Sequence, residues 1–166
     1  PMSNPDSLRS LAQRAEDLGF DSIWVSDHII LPRQVDSFYP YAADGVPTFK
    51  PDESYYEPLA ALNFLAGCTQ RIRLGTHVLI LPYRNPVLTA KILSTLDVLS
   101  GGRVILGAGV GWMEEEFQAL AAPPFAERGA VTNEYILAFK ELWTSDNPTF
   151  EGKYCQLSNI SFSPKP

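Results

Sequence analysis

Three apolar segments alternate with helical stripes along this chain, and that order is what most limits its fold. Ser22–Ser26 is β-branched and aromatic at its centre, Arg71–Leu81 is almost continuously apolar from Val78, and Val104–Gly109 is apolar throughout. None alternates apolar with polar residues, as a strand with one wet face would. Between and around them lie helical patterns. Leu8, Leu11, Ala12, Ala15 and Leu18 form a stripe behind a possible Asn4 cap and Pro5, with Gly19 placed to end it. Pro58 opens a second helix through Leu59, Leu62, Leu65 and Ala66. Asn85 caps and Pro86 starts a third, with a stripe of Leu88, Ile92, Leu96 and Leu99 broadened by Ala90 and Leu93, stopped at Ser100-Gly101-Gly102. A short helix starts at Met113 and breaks at Pro123-Pro124, a longer one runs Thr132–Trp143, and Phe150–Leu157 reads as a small hairpin turning at Glu151-Gly152. Strands buried on both faces and separated by helices predict a parallel α/β sheet. The pattern fits an open doubly wound sheet or a barrel, and in both a ligand sits at the carboxyl ends of the strands.

Composition narrows the partners. Nineteen acidic residues against thirteen basic give a net charge of −6, with no Lys/Arg cluster, so nucleic acid is not an expected partner. No apolar run approaches the roughly 20 residues of a membrane span, and the opening residues do not lead one to expect a signal peptide. Cys68 and Cys155 fit neither a disulfide framework nor a zinc pattern, so reduced thiols and a cytoplasmic location are expected. The 14 prolines punctuate loops, including Pro32, Pro40, Pro47 and Pro51 in an irregular stretch from Ile29 to Tyr56. A loop of that length inside a compact domain is functional or disordered.

Gly107-Ala108-Gly109-Val110-Gly111-Trp112 follows a strand, yet Trp112 stands where a dinucleotide fingerprint needs glycine. Either these glycines serve a strand end that needs positive φ, or they let a flat or anionic ligand approach the backbone, with Trp112 as a wall. Walker lysine and hydrolase elbow are both absent. The chain has two histidines, His28 and His77, each near the carboxyl end of a strand. An isolated histidine is ordinarily structural. Asp27-His28 differs, because it ends a strand and opens the long loop, and a nearby carboxylate can tune an imidazole. Adjacent residues at a strand end point in opposite directions, so the two need not bond each other. Two histidines without an acidic cluster are too few for a metal site. Glu114-Glu115-Glu116 reads as a solvated helix start, where negative charge suits the helix dipole. Arg84 either meets an anion or caps a loop carbonyl.

Taken together, these motifs resemble the bacterial luciferase-like monooxygenase superfamily, in its F420-dependent branch. The resemblance is carried in order by Leu18-Gly19-Phe20-Asp21-Ser22-Ile23-Trp24 into Asp27-His28, by Leu74-Gly75-Thr76-His77-Val78-Leu79 with Arg84-Asn85-Pro86, and by Leu96–Arg103 into Gly107–Trp112. Arg128-Gly129, Glu134, Leu142-Trp143, Phe150-Glu151-Gly152 and Pro164-Lys165-Pro166 continue it. It implies an α/β fold of the (β/α)8 TIM-barrel family, residues 1–166 forming a single partial barrel domain of about three βα units. It implies F420, or alternatively FMN, at the carboxyl mouth, and hydride transfer with an organic small-molecule substrate. Asp27 and His28 would be catalytic, His28 exchanging a proton and Asp27 orienting it. His77 and Val78, joined by a cis peptide, would back the ring, and Gly109, Val110, Gly111 and Trp112 would line its edge. Some relatives carry a proton-handling Glu where this chain has Trp112. The first family strand would precede Asn4, and most of the phosphate grip would lie in the second half. The second functional class is a non-catalytic flavin-binding or assembly protein descended from such enzymes. Unpaired sheet edges imply a chain cut from a larger barrel or a homo-oligomer pairing sheet to sheet.

Overall fold

The structure, a computed structural model, describes residues 4–49 and 54–166; Pro51 of the long loop lies outside the described residues. Helix α1 (Pro5–Asp17) is capped as its sequence predicts, Asn4 Oδ1 accepting from the Asp6 amide at 2.9 Å. It leads into β1 (Ser22–Val25), and the long loop then reaches α2 (Pro58–Ala66). The second apolar segment is two short strands, β2 (Arg73–Thr76) and β3 (Leu79–Ile80), and the His77–Val78 peptide between them is cis, as the resemblance implies. A 3-10 turn at Leu81–Tyr83 precedes α3 (Pro86–Ser100), where Asn85 accepts from the Leu88 amide. The third segment also divides, into β4 (Val104–Ile105) and β5 (Ala108–Gly109). Then come α4 (Glu114–Ala119), a 3-10 turn (Phe125–Glu127), α5 (Arg128–Thr144), and the antiparallel pair β6 (Phe150–Glu151) and β7 (Gln156–Leu157). Helix α5 begins four residues earlier than the apolar stripe suggests, since the 3-10 turn runs directly into it.

The sheet is parallel in the order β1-β2-β4, with Ile23 opposite Leu74 and Leu74 opposite Val104. Strands β3 and β5 continue it as a second parallel pair, with Leu79 opposite Ala108. Helices α1 and α2 pack on β2 through Leu8, Ala12, Leu62, Leu65 and Leu74. Helices α3 and α5 pack with β3 through Leu79, Ala90, Leu93, Phe139 and Leu142. The buried stripe of α3 runs through Ala90, Leu93 and Leu96, whereas Leu88 and Leu99 of the expected stripe are exposed. Leu11 of α1 and Leu18, its C-cap, are exposed as well, because the buried residues of α1 are Leu8 and Ala12. No helix of the described residues is long and apolar enough to cross a membrane.

Candidate active site

Parallel strands deliver their following residues to one rim. At that rim Asp27 and His28 follow β1, Arg84 follows β3 and its turn, and Val110–Trp112 follow β5. All of these but Arg84 border a cavity of about 810 Å³, lined also by His77, Val78, Ile80, Gly109 and Arg128, with Tyr39–Tyr41 of the long loop across it. The shared rim expected for His28 and the glycines is therefore present. Its volume is in the range of small-molecule sites, about 300–1,000 Å³.

The Asp27 carboxylate does not hold His28. Its Oδ2 accepts from the Ile80 amide at 2.8 Å and from Arg84 Nη1 at 2.6 Å, and its Oδ1 accepts from Arg84 Nη2 at 2.9 Å. Arg84 Nη2 also reaches Glu57 at 2.9 Å, so the arginine meets two carboxylates. Burial pushes the Asp27 carboxyl above its ordinary range, against the pull of the guanidinium. This fork is bidentate and enclosed, and it fastens the end of β1 to the start of α3. The carboxylate beside the imidazole belongs to another residue, since the Asp27 oxygens are committed to Arg84 and the Ile80 amide.

That residue is Glu116, expected in a solvated helix start and found with no exposed side-chain surface. Its Oε2 lies 3.0 Å from His28 Nδ1 and accepts from the Tyr83 hydroxyl at 3.0 Å. Its Oε1 accepts from the amides of Ile29 at 2.6 Å and Ile30 at 3.2 Å. Burial first, then the Glu116 charge, pushes the Tyr83 phenol far above its ordinary value, so it remains a donor. A carboxylate accepts only, so a proton faces it on Nδ1, and in the neutral ring Nε2 carries the lone pair. The signal for Glu116 was present in the sequence. Met113, Glu116, Phe117 and Leu120 share one helical stripe, and Met113 and Phe117 are buried on it. A glutamate on an apolar stripe must be turned inward and paired.

Aromatic rings complete the surroundings of His28. Phe49 and Tyr55 lie 5.6 Å from it between ring centres and Trp112 lies 6.4 Å away. His77 is exposed on the rim, 6.4 Å from the Trp24 ring. The glycines answer mainly to packing. A Cβ at Gly109 would sit 2.2 Å from Val78 Cγ2, and Gly111 has φ +82° with the Phe117 ring closing in. Arg128, prominent only as part of a motif, donates to the Gly111 carbonyl at 3.1 Å and stacks on Phe125, placing a cation at the mouth. Among the described residues no group of three or more His, Cys, Asp or Glu side chains is placed to hold a metal ion.

Comparison with known proteins gives this arrangement a family. An F420-dependent glucose-6-phosphate dehydrogenase of Amycolatopsis mediterranei is 37% identical over 165 residues, which are 98% of this chain and 45% of the relative. The solved structure of an F420-dependent secondary alcohol dehydrogenase, in complex with an F420-acetone adduct, superposes with a TM-score of 0.76 at 27% identity, covering 99% of this chain and 46% of that one. The FMN complex of the oxygenating constituent of 3,6-diketocamphane monooxygenase from Pseudomonas putida shares the fold, with a TM-score of 0.70 at 19% identity over 96% of this chain and 38% of its own. The chain thus spans about half the length of the curated relatives it matches. Its partial α/β barrel is that of these TIM-barrel enzymes, and the luciferase-like monooxygenase profile matches residues 1–166, so the chain belongs to the luciferase-like monooxygenase family.

Proposed function

We propose that this chain carries the redox site of an oxidoreductase that moves a hydride between F420, or alternatively FMN, and a small organic substrate. The observation that carries the reading is His28, fixed through Nδ1 to buried Glu116 while its ring faces the cavity. The F420-dependent relative and the F420- and FMN-bound fold neighbours support the cofactor class. The cavity suits such a group. Gly109 packs closely on Val78, and Val78, Ile80 and Ala108 give the cavity a largely apolar wall beside Gly109–Gly111. Val78, Gly109, Val110, Gly111 and Trp112 would line the ring, with His77 at the rim. A bound flavin or deazaflavin supplies two-electron hydride chemistry. His28 handles the proton: Nε2 accepts it from a substrate hydroxyl, or returns it to a carbonyl oxygen in the opposite direction. Glu116 holds the ring in the tautomer that leaves Nε2 free. Asp27 and Arg84 act as positioning residues that keep the ends of β1 and β3 in register.

The test is to titrate the full-length protein with F420 and with FMN, then to follow turnover with a panel of alcohols and carbonyls. F420 binding is expected, with His28→Ala lowering turnover about 10²- to 10⁴-fold while affinity barely moves. Binding of neither cofactor, or unchanged turnover in the variant, overturns the reading.

A further inference from the structure

Helix α4 has no cap of its own. Met113, its N-cap residue, makes no side-chain capping bond. The cap comes instead from the long loop, 77 residues earlier, where Ser37 Oγ accepts from the Glu114 amide at 3.0 Å. Glu115 closes the exchange. Its Oε1 accepts from the amides of Asp36 at 2.6 Å and Ser37 at 2.9 Å, and its Oε2 accepts from the Ser37 hydroxyl at 2.6 Å. A capping box normally joins residues three apart on one strand of chain. Here its two halves lie on separate segments, so the box ties the loop to the helix.

The tie falls beside the cavity wall. Tyr39 lies two residues after Ser37, and Trp112 lies two residues before Glu114. Their rings meet at 4.9 Å between centres, close to edge-on. This pair borders both the large cavity and a neighbouring one of about 400 Å³ on the Phe49 and Tyr55 side of His28. From this geometry we infer that Glu115 is a positioning residue: together with Ser37 it holds Tyr39 against Trp112 and fixes the wall between the two cavities. The clamp touches neither cavity and does not enter proton transfer. Its consequence for ligand affinity rests on the function proposed above, whereas the clamp itself does not.

The test uses the full-length protein without ligand. Arg33 is exposed ahead of the clamp and offers a tryptic site. Glu115→Ala and Ser37→Ala are expected to speed cleavage after Arg33 by about tenfold, since cutting follows the population of the opened loop. They should also shift the emission of Trp112, read as the difference from matched Trp112→Phe proteins. Ser37→Thr keeps the hydroxyl and should restore both signals. Unchanged cleavage, unchanged Trp112 emission, or a Ser37→Thr protein that behaves like Ser37→Ala would each overturn the inference. A parent protein that binds neither F420 nor FMN would remove the proposed function and leave these readouts deciding the clamp.

Discussion

Replacing Glu116 by glutamine should reverse the proton on His28. The glutamine Oε1 can keep the Ile29 and Ile30 amides, which both require an acceptor. Its NH₂ then faces the Tyr83 hydroxyl and His28 Nδ1, each 3.0 Å from the present Oε2. Nδ1 must become an acceptor, and the neutral ring's proton moves to Nε2, the nitrogen proposed above as the base. The cost in stability is moderate. Hydrogen bonds to charged groups contribute about 1.5–3 kcal/mol and neutral ones about 1, so weakening the two with Tyr83 and His28 costs roughly 1–4 kcal/mol. Turnover should fall much further, by about 10²- to 10⁴-fold, because the base is lost. Nitrogen NMR of the imidazole reads the tautomer directly, and urea unfolding beside steady-state turnover reads the two costs. A parent protein with its proton already on Nε2 would refute the reasoning, as would a variant whose tautomer does not change.

Asp27→Asn should destabilise the fold by about 3 kcal/mol, since it leaves the mostly buried Arg84 with only Glu57 for charge. A fall in the thermal midpoint of roughly 6–12 °C checks this, and the His28 nitrogen spectrum should not move; a changed tautomer would return Asp27 to an orienting role. Glu16 gives a pH test. Burial raises its carboxyl, but the amides of Ile72, Arg71 and Gln70 outweigh that and hold it below its ordinary value of 4.5. A group lowered on folding stabilises fully above its unfolded value and ceases to do so as pH falls through the folded one. The stability difference between the parent and Glu16→Gln should be constant near neutrality and shrink as pH falls below 4.5; a gap that stays constant into acid would contradict it.

Local chemistry was readable in the sequence where a cap or a run of one residue class decides the outcome. Asn4-Pro5 and Asn85-Pro86 start helices because side-chain oxygen and fixed φ act within a single turn. The apolar strands read as parallel because both faces are covered. What depended on distant partners did not show. Leu88 and Leu99 lie on a helical stripe as good as Ala90 and Leu93, and the position of α5 and β3 puts the latter inside. Asp27 beside His28 suggested a pair, yet the strand sends their side chains apart to Arg84 and Glu116. Three successive glutamates read as one solvated feature. They separate into an exposed Glu114, a clamp at Glu115 and a buried acceptor at Glu116, because α4 turns about 100° per residue against a fixed wall.

The divided capping box separates anchoring from recognition in the long loop. Among the described residues, the hydrogen bonds that fasten the loop to α4 are complete by Ser37, and the loop residues that line the cavities begin at Tyr39. Selection can therefore lengthen, shorten or rewrite the later part without loosening the joint, much as a hinged panel can be exchanged on the same hinge. For an engineer this gives the splice points. Loops transplanted from relatives with junctions after Ser37 and before Glu57 keep the hinge, while junctions placed at Ile29 discard it together with the amides that Glu116 holds.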